Sequence, residues 1–192
     1  RPWRATGVTK TLVARGAIAA ALILIATLVS GCANGSAGGS PTATDGVVEQ
    51  VPVEDRRSVE QITGTLLDGD AFNSDDLAGS VVVYNVWGSW CAPCRTEAAT
   101  LKRVSEETAD LGVRFVGINV RDNDPAARAF EDTYGISYPS IDTATSSDAL
   151  LAFGPALPPS AVPSTMIVDA DGRLAARIIG PADYTTLTAL VT

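Results

Sequence analysis

A nearly continuous apolar run, Val81-Val82-Val83-Tyr84-Asn85-Val86-Trp87, is broken by Gly88 and Ser89 and followed at once by Trp90-Cys91-Ala92-Pro93-Cys94. This junction constrains the chain more than any other feature. Such a run, rich in β-branched and aromatic residues, suits a central strand covered on both faces. The residues from about Pro93 to Leu111 then predict a helix, with Ala98, Leu101, Val104 and Leu111 at apolar positions and Gly112 as its stop. Two cysteines separated by two residues on a first helical turn come within disulfide reach. Cys91 falls at the helix N-terminus, where unpaired N–H groups and the helix dipole favour a thiolate, the attacking species. Cys94 lies one turn deeper, placed to resolve a mixed disulfide. Pro93 fits because a missing N–H costs nothing in a first turn. Trp87 and Trp90 are expected to shield the pair from water; as ordinary core aromatics they would have no such role.

The surrounding pattern predicts an α/β domain with a mixed sheet. Gln61–Leu67 is a strand candidate closed by the turn Asp68-Gly69, and 73–79 is a loop with a helical turn. Arg114–Val120 is a second buried strand. Asp124-Pro125 opens another helix, with Asp124 as N-cap and Pro125 first in the helix, stopping at Gly135. Asp122 and Asp124 read as part of that cap rather than as metal ligands. A short strand is expected over 136–141, a helical turn at 148–153 and a proline-rich loop from Pro155 to Pro163. Thr165–Asp169 and Arg173–Gly180 form a hairpin around Ala170-Asp171-Gly172, and Ala182–Val191 is a terminal helix. Parallel βαβ pieces followed by an antiparallel hairpin give a central mixed sheet flanked by helices.

Charge and composition exclude several functions. The net charge is −8 and the isoelectric point about 4.4, whereas a nucleic-acid partner requires a basic face. The chain has no histidine, so Cys-His and Ser-His nucleophiles and His-ligated metals are excluded. Of three cysteines, Cys32 is explained by the N-terminus. Residues 1–15 carry Arg1, Arg4, Lys10 and Arg15 and no acid, and Ala17–Val29 is apolar but shorter than the about 20 residues that span a bilayer. This is the pattern of a secretory signal. It ends Leu28-Val29-Ser30-Gly31-Cys32, which resembles a bacterial lipobox and implies cleavage before Cys32 and lipid attachment to its sulfur; an uncleaved anchor or another cleavage site is the alternative. Without residues 1–31 the chain keeps 10 basic residues against 22 acidic, a net charge of −12. The expected organisation is a signal at 1–31, a flexible tether at 32–57 whose part 33–46 is rich in Gly, Ser, Ala, Thr and Pro, and a folded domain at 58–192.

Residues 90–97, Trp-Cys-Ala-Pro-Cys-Arg-Thr-Glu, resemble the active site of the TlpA/ResA-like thioredoxins, which are membrane-tethered and face away from the cytoplasm. The resemblance runs over residues 58–192 and includes Asp76-Leu77-x-Gly79, Val81–Trp87, Val162-Pro163-Ser164-Thr165 and the Asp-x-Asp-Gly turn. Val120–Asn123 and Ala152–Gly154 are similar to segments of actinobacterial cytochrome-maturation thioredoxins. The family implies a thioredoxin-like fold and a cis bond before Pro163. It also implies that Val162 offers backbone hydrogen bonds to an extended substrate. Glu97 matches a family glutamate that raises the pKa of the buried thiol and relays its proton; an ordinary first-turn glutamate facing the helix dipole is the alternative. Trp90 and Pro93 support the pair.

The function so implied is thiol–disulfide exchange on the outer face of the bacterial membrane. It uses the redox-active disulfide Cys91–Cys94, no other cofactor and no metal. The substrate would be a protein disulfide such as the haem-site cysteines of apocytochrome c, with a membrane thiol-reducing partner resetting the pair. A disulfide-introducing oxidase and a non-catalytic lipoprotein binding module with a structural disulfide are the rivals. Half a zinc site would need a second cysteine pair or histidine, and a peroxidase would set a single attacking cysteine in a different context.

Overall fold

In the computed structural model, residues 47–192 are described; the segment 1–31 expected to be a signal, Cys32 and the first part of the expected tether lie outside the described residues. The strand Val81–Trp87 (β4) occupies the centre of a six-stranded sheet and is buried almost throughout. It runs parallel to β5 (Val113–Asn119) and antiparallel to β7 (Ser164–Val168). Outside β5 lies β6 (Ser140–Ile141), parallel; outside β7 come β8 (Leu174–Ile179) and then β1 (Val47–Gln50), both antiparallel. Helix α1 (Ala92–Thr108) connects β4 to β5, and α2 (Asp124–Tyr134) connects β5 to β6. A hairpin of β2 (Thr63–Thr65) and β3 (Ala71–Asn73), a short helix α3 (Ser146–Leu151) and the terminal helix α4 (Tyr184–Val191) complete the layers.

Period-two alternation along the central strands sends side chains into two cores. Val83, Phe115, Ile167 and Ile178 face α1 and α4, meeting Leu101, Val104 and Leu187. Tyr84, Val86, Ile118 and Met166 face the other way, against Ile62, Ala149 and Phe153. A third cluster, Leu67, Trp87, Cys91, Cys94, Ala98, Ala127 and Phe130, sits where β4 ends, so the cysteine pair is built into packing between α1 and α2. The buried positions of α1, Cys94, Glu97, Ala98, Leu101, Val104 and Thr108, follow the helical repeat.

Several boundaries differ from the sequence expectation. Val47–Gln50, expected within the tether at 32–57, forms the edge strand β1, and Val51 N–H donates to the Ala175 carbonyl (2.8 Å). The ordered fold therefore includes residues 47–57 in addition to 58–192. All four β1 residues are exposed, so backbone pairing rather than burial holds the strand. The cap of α2 is Asn123, whose side chain accepts from Ala126 N–H, and Asp124 is the first helical residue. β6 is two residues long rather than the whole of 136–141.

Gly117 on β5 marks a close approach. A Cβ there would lie 2.7 Å from Trp87 Nε1 and would also collide with Ser140 Oγ. Both neighbours are buried, so neither can swing away. Gly117→Ala is expected to destabilise the fold by about 1–3 kcal/mol, measured by urea unfolding; an unchanged midpoint would show that this packing is looser than described.

Candidate redox site

β4 delivers Trp87 to the top of the sheet, and the backbone then turns through Gly88-Ser89-Trp90 so that Cys91 caps α1. Cys91 has extended backbone (φ −81°, ψ 109°), and its own sulfur accepts the Cys94 N–H at 3.2 Å. In other helices a Ser or Asp oxygen takes this third-residue N–H; here it is the sulfur that must carry negative charge when reduced. Pro93 has no N–H to compete, and it and Ala92 are exposed. Cys91 and Cys94 are joined as a disulfide (S–S 2.08 Å, Cα–Cα 5.3 Å). Both cysteines are buried, Cys91 at the start of the helix and Cys94 one turn inside it.

Glu97 lies one helical turn beyond Cys94 and is buried. Its Oε1 accepts from Asn85 Nδ2 (3.0 Å) and its Oε2 from the Ala182 N–H (2.7 Å). Asn85 Nδ2 also reaches Thr165 Oγ1 at 3.3 Å. Burial pushes the Glu97 pKa up to about 7, against the opposing pull of those two hydrogen bonds. The side chain thus points into the protein, not along the helix surface towards the dipole.

Val162 packs against the cluster that holds both cysteines. The Val162–Pro163 bond is cis, and Pro163 is buried with its carbonyl accepting from Gly180 N–H (2.9 Å). The two tryptophans differ. Trp87 is buried and stacks on Phe130, centroids 4.6 Å apart. Trp90 is 47% exposed, so it forms a rim beside Cys91 rather than the shield expected of it.

Two contributors have roles that the sequence reading does not assign. Asn85 is one: a lone amide inside an apolar strand is itself a signal, since a buried amide needs partners. Asp122 is the other. Its carboxylate accepts from the Ser89 N–H (2.6 Å), the Ser89 hydroxyl (2.8 Å), Asn119 Nδ2 (3.1 Å) and the Asn123 N–H (3.0 Å). Burial raises its pKa, but these donors outweigh that and hold it below the ordinary value. Asp122 therefore anchors the turn that carries Cys91 instead of capping α2.

Residues 46–190 match the Redoxin family model. The chain is 35% identical to the thiol:disulfide interchange protein DsbE of Allochromatium vinosum, over 69% of this chain and 70% of that protein. It is 29% identical to the thiol-disulfide oxidoreductase ResA of Bacillus thuringiensis over 60% of this chain; the match spans 64% of that relative, just under two thirds. Among solved structures, a DsbF homologue from Corynebacterium diphtheriae superposes with a TM-score of 0.68 at 34% identity, covering 82% of this chain and 95% of that one. The six-stranded mixed sheet with its flanking helices is the thioredoxin-like fold.

Proposed function

The chain belongs to the Redoxin family, and from that premise we propose that it is an extracytoplasmic thiol–disulfide oxidoreductase working through Cys91 and Cys94. The reduced Cys91 thiolate attacks one sulfur of a substrate disulfide. That bond breaks, a mixed disulfide forms on Cys91, and the leaving sulfur takes a proton. Cys94 then loses its proton to Glu97 and attacks the Cys91 sulfur, releasing the second substrate thiol. Two electrons pass to the substrate, and the Cys91–Cys94 bond stores the oxidation. Val162 supplies backbone hydrogen bonds to the extended substrate, a role that its packing beside the cysteines supports. Trp90 and Pro93 shape the approach to Cys91.

One observation carries this reading: the Cys91 sulfur is itself the helix cap and accepts the Cys94 N–H. A donor and the helix dipole aimed at one sulfur stabilise its thiolate. The proposed direction is reduction. Between the cysteines, Ala92-Pro93 adds no cation to stabilise the reduced state further, which disfavours a strongly oxidising pair. The proposed substrates are protein disulfides, apocytochrome c haem-site cysteines among them. A membrane thiol-reducing partner regenerates the dithiol. A lipid on Cys32, with 33–46 as tether, would hold the domain at the outer face of the cell membrane.

The reduction potential tests the direction. Equilibration with glutathione should give a value below roughly −200 mV; one near −120 mV would mark a disulfide-introducing oxidase instead.

A further inference from the structure

Beside Cys91 stands an aromatic and cationic ledge that disulfide exchange itself does not require. Trp90 donates its indole N–H to the Val120 carbonyl (3.1 Å). Gly88 makes room for it: a Cβ at that position would sit 2.8 Å from Trp90 Cε2. Arg121 lays its guanidinium over the exposed indole, 4.7 Å from the ring centroid. To do so its backbone adopts φ 51°, a left-handed conformation uncommon for a bulky residue and unfavourable without compensation. Asp122 supplies that compensation, with its N–H on Thr143 Oγ1 (3.2 Å) and its carboxylate on Ser89. On the other side of the turn, Arg95 is exposed and donates to the Ser89 carbonyl at 2.7 Å.

Neither arginine forms an ion pair among the described residues. The salt bridges there engage Arg56, Lys102, Arg103, Arg128, Arg173 and Arg177 instead. In a chain with 22 acidic and 14 basic residues, two uncompensated guanidinium groups flank the turn that presents Cys91. Acidic surface elsewhere repels an anionic visitor over long range, but that field is screened within about 8–10 Å at physiological salt. Local contacts then decide which segment settles beside the sulfur.

We propose that Trp90, Arg121 and Arg95 form a docking ledge that selects substrate disulfides whose cysteines are flanked by carboxylate side chains. The carboxylate engages Arg121 or Arg95, and the neighbouring substrate chain lies on the free part of the Trp90 ring. The proposal rests on the oxidoreductase reading and names its substrate class by the residues next to the cysteine.

The test uses the reduced full-length chain and three synthetic disulfide peptides that differ only in the residues beside the cysteines: glutamate, glutamine or lysine. At about 0.15 M salt, kcat/KM should be roughly tenfold higher for the glutamate peptide than for the lysine peptide. Arg121→Glu should erase or invert that ratio, and Arg95→Glu, on a different element, should weaken it in the same direction. Arg114→Glu changes net charge equally but lies at the opposite end of β5 and should keep the wild-type ratio. Turnover without charge preference overturns the ledge alone. So does an equal loss on all three peptides that tracks a shift in reduction potential, because Arg121 would then be acting on the Cys91 thiolate. No turnover on any peptide overturns the ledge together with the reading beneath it.

Discussion

Cys91→Ser is expected to abolish reduction of insulin disulfides, a loss on the order of 10³-fold or more. The hydroxyl occupies nearly the same space and can still accept the Cys94 N–H. It does not ionise near neutral pH, so the helix dipole has no anion to stabilise. The chain contains no histidine to activate another nucleophile, and Cys94 sits one turn deeper in the helix, away from its N-terminus. Cys94→Ser should also stop multiple turnover, for a different reason. Attack by Cys91 still proceeds, but nothing one turn deeper displaces the adduct. Sustained turnover by Cys91→Ser would mean that the attacking sulfur has been misassigned.

Glu97→Gln should lower turnover at pH 8 by about 10²-fold, the scale of a lost general base. In the proposed mechanism the Glu97 carboxylate accepts the Cys94 proton, so wild-type activity should rise as pH passes through about 7, and the variant should lack that limb. Stability gives an independent readout. Because the folded-state pKa is raised from 4.5 to about 7, the contribution of Glu97 is fully present below pH about 4.5. It is lost as pH rises through about 7. Linkage puts this change on the order of 2–3 kcal/mol. Urea unfolding at pH 5 and pH 8 should therefore show the wild type losing more stability than the glutamine variant. The Tyr138 phenol, itself pushed up by burial and by the Glu97 and Glu131 carboxylates, stays neutral across this window and leaves the sign unchanged. Equal pH slopes for the two proteins would remove Glu97 from the proton path.

The elements that position the cysteines are those in which local pattern and tertiary environment agree. The run 81–87 is a strand in both, because β-branched residues and complete burial demand the same thing. α1 passes at Thr108 into a 3-10 turn, Ala109–Leu111, which Gly112 closes at φ 84°. The elements that sequence could not supply depend on partners far along the chain. β1 has four exposed residues and no apolar alternation, and it exists because β8 offers an open edge some 130 residues later. Asn123, rather than Asp124, caps α2 because its backbone is the one left extended (φ −128°, ψ 149°), a choice that two adjacent cap-forming residues do not reveal. Asp122 serves the turn at Ser89, 33 positions away, so no local spacing could announce it. The cis bond at Pro163 was carried by family resemblance, since most X–Pro bonds are trans.

The central claim is that Cys91 attacks and Cys94 resolves. It is tested most directly by mixing reduced full-length Cys94→Ser with a disulfide-closed peptide, quenching in acid and mapping the adduct by mass spectrometry. The peptide should be found on Cys91, stable until a reductant is added. Attachment at Cys32 instead, or no covalent adduct at all, would contradict the mechanism.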